Sequence, residues 1–174
     1  MFSKFHLLKK RGVISVALAT TLIAGGLAIA NTQSKPSPLM NSMAAYVVTL
    51  DQEGNELLQA ATEVEPGQVV EYELTYQNTG DTALKDLVIT GPVPSATGYL
   101  ANSNLAQTAA QFLVSIDGGS KFESEPVKRI VTDASGRKIE KIIPPSEYTH
   151  VRWIMQQPLA AGETQKFAYR SVVE

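Results

Sequence analysis

Few residues in this chain have the type and spacing that chemistry at a protein site requires. After residue 30 there is one histidine, His150, and the chain has no cysteine. A serine–histidine–acid group can be drawn with Ser146 and His150, but no Gly-x-Ser-x-Gly motif is present to position a nucleophile. Zinc sites need three or four His, Cys or carboxylate ligands. We therefore expect no catalytic residue, no metal and no cofactor, and a protein that is not an enzyme.

Two short segments carry oxygen ligands or turn residues. Residues 51–56, "DQEGNE", place acidic and amide groups around a glycine, as in part of a calcium loop, but they lack its length and its closing glutamate. Residues 115–122, "SIDGGSKF", are similar to the Asp-box hairpin of β-propeller enzymes, where that motif is a folding element. It occurs once here, so no propeller is indicated. Both segments favour hairpin turns.

A group of basic residues lies on one predicted hairpin, between residues 128 and 141. Its members are Lys128, Arg129, Arg137, Lys138 and Lys141. Glu125, Asp133 and Glu140 are interleaved with them. We favour a solvated, salt-bridged edge that blocks strand addition. The alternative is a patch that binds an acidic polysaccharide or lipopolysaccharide.

The N-terminus has the layout of a secretory signal peptide over residues 1–30. Four basic residues precede a charge-free run, "VISVALATTLIAGGLAIA", at 13–30. That run closes on Ala28-Ile29-Ala30, the small-x-small pattern of a cleavage site. An uncleaved membrane anchor is the alternative, because 18 residues are just long enough to span a bilayer. We expect cleavage after Ala30 and a secreted or periplasmic protein, with membrane attachment only if the signal stays uncleaved.

The chain after residue 30 is acidic, with eleven basic and seventeen acidic residues and a net charge of −6. Such a charge repels nucleic acid phosphates, so we expect no nucleic acid partner. The absence of cysteine means that no disulfide stabilises the fold. A protein or a cell-surface polysaccharide remains as a possible partner.

The remaining chain divides into a flexible linker at 31–44 and a domain at 45–174. The linker begins "NTQSKPSP", which is polar and contains two prolines. The domain consists of short alternating segments separated by turns, including "EPGQ" at 65–68 and "DGGS" at 117–120. Residues 95–110 suit a short helix or a loop. The pattern predicts an all-β sandwich or barrel of about seven to nine strands.

Apolar residues at a period of two define the core face of three strands. The predicted inward residues are Val70, Tyr72, Leu74 and Tyr76, then Val151, Trp153 and Met155, and finally Phe167, Tyr169 and Ser171. "NTGD" at 78–81 is expected to turn the chain between two neighbouring strands. Tyr72 and Trp153 are large enough to fill the space between two sheets.

Two segments resemble one known family. "EPGQVVEYELTYQNTGDTALKDLVITGPVP" at 65–94 is similar to the opening of the conserved repeat called domain of unknown function eleven. "VRWIMQQPLAAGETQKFAYRSVV" at 151–173 is similar to its close. The resemblance implies an immunoglobulin-like module of prokaryotic surface and secreted proteins, without catalytic residues.

The function expected from these observations is a non-catalytic structural, adhesion or assembly module of the cell envelope or the extracellular space. The alternative is a carbohydrate-binding accessory protein, which exposed rings at Tyr148 and Tyr99 would favour. Self-assembly is a further possibility if the N-terminal segment at 31–50 pairs with a neighbour's sheet. Pairing within its own domain is favoured on entropy, because the segment is tethered nearby.

We predict that the exported protein begins at Asn31, because a small-x-small pattern directly follows the charge-free run. Intact-mass analysis of the exported protein measures the N-terminus. A membrane fraction that retains Met1 would contradict the prediction and support the anchor.

Overall fold

The computed structural model describes residues 37–174. The predicted signal peptide at 1–30 and the first six residues of the predicted linker lie outside this part. The described chain forms eleven strands and one 3-10 turn at Pro145–Glu147. The strands are β1 (Leu39–Leu50), β2 (Glu56–Ala60), β3 (Val69–Asn78), β4 (Val88–Pro92), β5 (Thr97–Tyr99), β6 (Leu105–Ala106), β7 (Ala110–Ser115), β8 (Lys128–Thr132), β9 (Lys138–Ile142), β10 (His150–Met155) and β11 (Thr164–Val173).

The strands form two packed sheets and a separate hairpin, all with antiparallel pairing. The larger sheet has the order β2-β1-β3-β11-β5, and β6 also pairs with β11. The smaller sheet has the order β4-β10-β7, and the hairpin consists of β8 and β9. The fold is therefore all-β and sandwich-like, as the turn spacing predicted. The structure has eleven strands rather than seven to nine, because β5 and β6 are too short to be seen in the sequence pattern.

Aromatic rings from the two sheets meet in the core. The ring of Trp153 on β10 lies 5.6 Å from that of Phe167 and 6.3 Å from that of Tyr169, both on β11. Tyr169 in turn stacks on Tyr72 of β3 at 5.1 Å. The predicted inward residues are confirmed, since all ten are buried except Tyr76, which is half-buried.

An arginine on the outer face of the larger sheet fixes the edge strand β2. Nε of Arg170 on β11 donates to the buried Glu71 of β3 at 2.8 Å. The same guanidinium donates to both carboxylate oxygens of Glu56 on β2, at 2.8 and 2.7 Å. Bidentate geometry of this kind is directional and strong. The position of β2 therefore depends on β11 as well as on its neighbour β1.

The prediction of a flexible linker at 31–44 is wrong from residue 39 onward, because β1 begins at Leu39 rather than Ala45. Residues 39–47 of β1 pair with β3, from Leu39 opposite Asn78 to Val47 opposite Val70. The long alternating strand β3 offers a partner along its whole length, so the polar residues at 41 and 42 are included in the ladder. In the described chain the segment thus belongs to its own sheet, as the intramolecular alternative required.

We expected the turn at 78–81 to connect two neighbouring strands. It does not, because the strands on either side of it belong to different sheets. It leads from β3 in the larger sheet to β4 in the smaller one. The side chain of Asn78 is fully buried and donates to the carbonyls of Thr82, Leu159 and Ala160 at 2.8, 3.0 and 3.0 Å. Its own oxygen accepts from the N–H of Gly80 at 3.0 Å. One amide therefore holds the crossover in place against the loop before β11.

We predict that Trp153→Ala lowers the free energy of unfolding by about 3–5 kcal/mol, because a fully buried ring at the sheet contact leaves a cavity. Trp153→Phe is the matched control. It keeps a ring there and removes an indole N–H that has no hydrogen-bond partner within the described residues. The free energy of unfolding should fall clearly less in Trp153→Phe than in Trp153→Ala. Urea denaturation measures both, and equal midpoints for Trp153→Ala and the wild type would contradict the packing role.

Candidate functional site

The structure does not assemble a catalytic group from the residues that the sequence offered. His150 is half-buried, and its Nδ1 lies 3.3 Å from the hydroxyl of the adjacent Thr149. Ser146 lies in the 3-10 turn. Between residues 37 and 174 no hydrogen bond joins the two side chains, and no group of three potential metal ligands occurs. The expectation that the protein is not an enzyme stays a prediction.

The two oxygen-rich segments are hairpin turns whose side chains bond to their own backbone. The Asp51 carboxylate accepts from the side-chain amide of Asn55 at 3.0 Å and from the backbone N–H groups of Asn55 and Glu53, each at 2.8 Å, and these contacts lower its pKa. In the Asp-box segment, Ser115 Oγ donates to Asp117 Oδ1 at 2.7 Å, and the same carboxylate oxygen accepts from the N–H of Lys121 at 2.9 Å. These oxygens are used by the turns themselves.

The hairpin β8–β9, which we call the basic arm (residues 128–142), projects from the body of the protein. In the described structure its strands pair with each other and with no other strand. All five residues of β9 are exposed. The basic residues predicted for one hairpin are thus confirmed to lie together on it. The arm provides a surface that the sheets do not cover.

The basic arm is attached at its base by a small buried group. Val127 and Ile143 are buried, and the N–H of Ile143 donates to the carbonyl of Val127 at 2.9 Å. The N–H of Val127 also donates to the hydroxyl of the buried Tyr148, at 3.4 Å. Beyond this base, the attachment of the arm to the body depends mainly on polar contacts.

An ion pair links the base of the arm to Glu123, which forms an isolated β-bridge with Val114 of β7. The guanidinium of Arg129 donates to both carboxylate oxygens of Glu123, with Nη1 at 3.1 Å from Oε2. This hydrogen bond holds the pKa of Glu123 below its ordinary value. Next to it, the guanidinium of Arg152 lies 3.4 Å from the ring centre of Phe122, a cation–π contact.

The charge of the arm is opposite to that of the body. The arm contains five basic and two acidic residues, a net charge of +3. The rest of the described chain has five basic and fifteen acidic residues, a net charge of −10. On the arm, Lys128 pairs with Glu140 and Arg137 with Asp133. Lys138 and Lys141 have no ion-pair partner in residues 37–174, so their charges face solvent.

Exposed isoleucines accompany these charges. Ile130 is 66 % exposed and Ile142 is 56 % exposed, and Ile139 is exposed as well. Opposed residues of a hairpin share a face, so the pair Val131 and Ile139 lies on one face and Ile130 and Ile142 lie on the other. Neither face of the arm is wholly polar, which is unusual for a solvated edge.

A cleft of about 270 Å³ lies at the base of the arm. Its lining includes Glu125, Pro126, Ile142 and Tyr148. Burial raises the pKa of Glu125 above its ordinary value. The cleft is open to solvent and mostly apolar, and it lies between the arm and the body.

The exposed rings at Tyr99 and Tyr148 that would favour carbohydrate binding are not found. Both side chains are buried, at 2 % and 3 % exposure, and their rings stack at 5.7 Å. Burial raises the pKa of both hydroxyls. Both residues lie outside the long alternating strands, so no periodicity signalled that they face the core. They offer no platform for stacking a sugar.

No family model, curated protein or solved structure matches this chain significantly. The resemblance to domain of unknown function eleven therefore stays a prediction. Between residues 37 and 174, none of the structural elements is an apolar helix of membrane-spanning length. The basic arm and its contrast in charge with the body are the features that bear on function.

We predict that the Arg129–Glu123 pair makes the attachment of the arm sensitive to acid. Because the folded pKa of Glu123 is lowered, the pair stabilises the folded state above the unfolded pKa of about 4.3. That contribution is lost as the pH falls through the lower, folded value. An NMR titration of the Glu123 carboxyl measures the effect. Arg129→Gln should raise this pKa more than the control Lys121→Gln does, and equal shifts would contradict the assignment.

Proposed function

We propose that this protein is a non-catalytic interaction module of the cell envelope or the extracellular space, with a structural, adhesive or assembly role. The observation that carries the proposal is the basic arm, a solvent-exposed hairpin of net charge +3 on a body of net charge −10. The arm carries exposed isoleucines beside unpaired lysines, and the described contacts give these side chains no role in folding. They suit a surface that another molecule covers.

Export is supported by the N-terminal sequence, with its basic start, charge-free run and small-x-small close. The immunoglobulin-like assignment is supported by two packed antiparallel sheets with a buried tryptophan on the middle strand of the smaller one. The resemblance to domain of unknown function eleven agrees with both. We infer an exported immunoglobulin-like module that acts by binding.

A second candidate is the binding of an acidic polysaccharide. The observation that favours it is the pair Lys138 and Lys141, which lie on β9 and are free of ion pairs within the described chain. Binding of this kind would depend on charge and would weaken with salt. The burial of Tyr99 and Tyr148 argues against a site for neutral sugars.

The proposal predicts that the arm contacts another macromolecule where the protein works. A photo-cross-linking residue is placed at Lys138 in the full chain, and the matched control carries it at Lys85, an exposed lysine of the body. The producing cells are irradiated and then fractionated. Discrete cross-linked products are expected from position 138, in the exported or envelope fraction. The same products from both positions, or a cytoplasmic protein, would contradict the proposal.

A further inference from the structure

We propose that copies of this protein assemble head to tail, with the outer edge of β9 in one copy pairing with the outer edge of β2 in the next. This inference rests on the proposed function and names the partner of the basic arm as a second copy of the chain. It differs from assembly through the N-terminal strand, because β1 is already paired on both sides, with β2 and β3.

The outer edge of β2 presents free backbone groups. The N–H of Asp51 donates to Asn55 and the N–H of Ala61 to the carbonyl of Ala45, so odd-numbered residues from 55 to 61 bond toward β1. Glu56, Leu58 and Ala60 consequently direct their N–H and C=O groups away from β1. Within the described chain no other strand takes up these groups, and of them only the carbonyl of Ala60 is bonded, to the N–H of Thr62 at 3.1 Å. All five residues of β2 are exposed, and Arg170 holds the strand in position.

The outer edge of β9 has the same property. The N–H of Ile143 donates to Val127 and the N–H of Asp133 to Arg137, which fixes the bonded pairs of the hairpin. By the same alternation, Lys138, Glu140 and Ile142 direct their backbone groups away from β8. Two five-residue edges are thus available for strand addition, in which main-chain hydrogen bonds supply much of the affinity.

The charges beside the two edges are complementary. Glu53, Glu63 and Glu65 lie in the turns that flank β2, are exposed, and take part in no ion pair within residues 37–174. The lysines that face solvent on β9 are Lys138 and Lys141. Opposite charges placed in this way steer the encounter and disfavour pairing of two like edges. An edge of β2 therefore repels another β2 and attracts β9.

Exposed apolar side chains accompany both edges. Leu57 and Leu58 are exposed on β2, Leu58 to 47 %. Ile139 and Ile142 are exposed on β9. Side chains alternate across a strand, so each edge carries one of its two apolar residues on each face. Pairing would bring apolar residues together on both faces of the extended sheet.

The body of the protein favours a second copy over an anionic surface. A net charge of −10 opposes approach to an anionic membrane, but it supplies the acidic surroundings of β2 that the arm needs. Because the two surfaces differ, each copy can use both at once. Such a contact is heterologous and leads to open chains rather than a closed dimer.

The experiment measures the association of the purified full-chain protein by sedimentation velocity over a range of concentrations and salt. The wild type should form species that grow with concentration and dissociate at high salt. Leu58→Pro removes the outward N–H of β2 without removing a hydrogen bond to β1, since proline is tolerated at such edge positions. It should weaken association by at least about tenfold, while Leu58→Ala, which keeps the N–H, should weaken it less.

A charge-reversal pair keeps the test valid if the proline variant fails to fold. Lys138→Glu with Lys141→Glu gives one variant, and Glu63→Lys with Glu65→Lys gives the other. Each alone should sediment as a monomer, because its two edges then carry the same sign. An equal mixture should form alternating chains, because the acidic arm of the first variant matches the basic β2 edge of the second, and the basic arm of the second matches the acidic β2 edge of the first. A mixture of folded variants that stays monomeric would overturn the proposal.

Vesicles of anionic lipid and a soluble acidic polysaccharide are tested with the same variants. A wild type that is monomeric at every concentration, yet binds either probe through Lys138 and Lys141, would overturn self-assembly and leave the proposed function standing. A monomer that binds neither probe and gives no cross-linked product from the arm would overturn both.

Discussion

The contact of aromatic rings between the two sheets is the constraint on which the rest of this structure depends. Trp153 is fully buried and lies within 5.4–6.3 Å of the rings of Phe112, Phe167 and Tyr169. With no cysteine in the chain, this packing has no covalent support. The indole N–H has no partner in the described residues, an arrangement that costs about 1–3 kcal/mol. The area that such a large ring buries offsets that cost.

The same packing explains why the basic arm is free. The rings come from β3, β5, β7, β10 and β11 and from Tyr148, so residues before and after the arm in sequence close the core without it. Only Val127 and Ile143 at its base join the core cluster. Of the residues between them, Ile142 lines the apolar cleft at the base of the arm, yet it stays 56 % exposed. A hairpin in this position keeps its isoleucines exposed whatever their hydrophobicity.

Sequence periodicity was informative where one face of a strand is exposed to solvent and the other is buried. It placed Tyr72, Trp153 and Phe167 in the core, because each lies in a run of alternating residues. It did not place Tyr99 and Tyr148, whose burial depends on loops brought together by the fold. Nor did it reveal that β3 and β4 lie in different sheets, since strand order depends on contacts between residues far apart in sequence. For the candidate site, the basic residues were visible as a group, but the exposure of Ile130 and Ile142 was not.

The lysines of the basic arm also have a different effect on strand pairing from lysines on an ordinary edge strand. Lysines on an exposed strand normally prevent edge-to-edge aggregation, because two edges of like charge repel each other. That protection depends on the charge of the second edge. On a body whose remaining described residues sum to −10, the acidic turns beside β2 make a lysine-bearing edge selective rather than inert. Lys138 and Lys141 would then disfavour the pairing of β9 with another β9 and favour its pairing with β2. The separation of charge within one chain is therefore the physical basis for a directional contact between identical molecules.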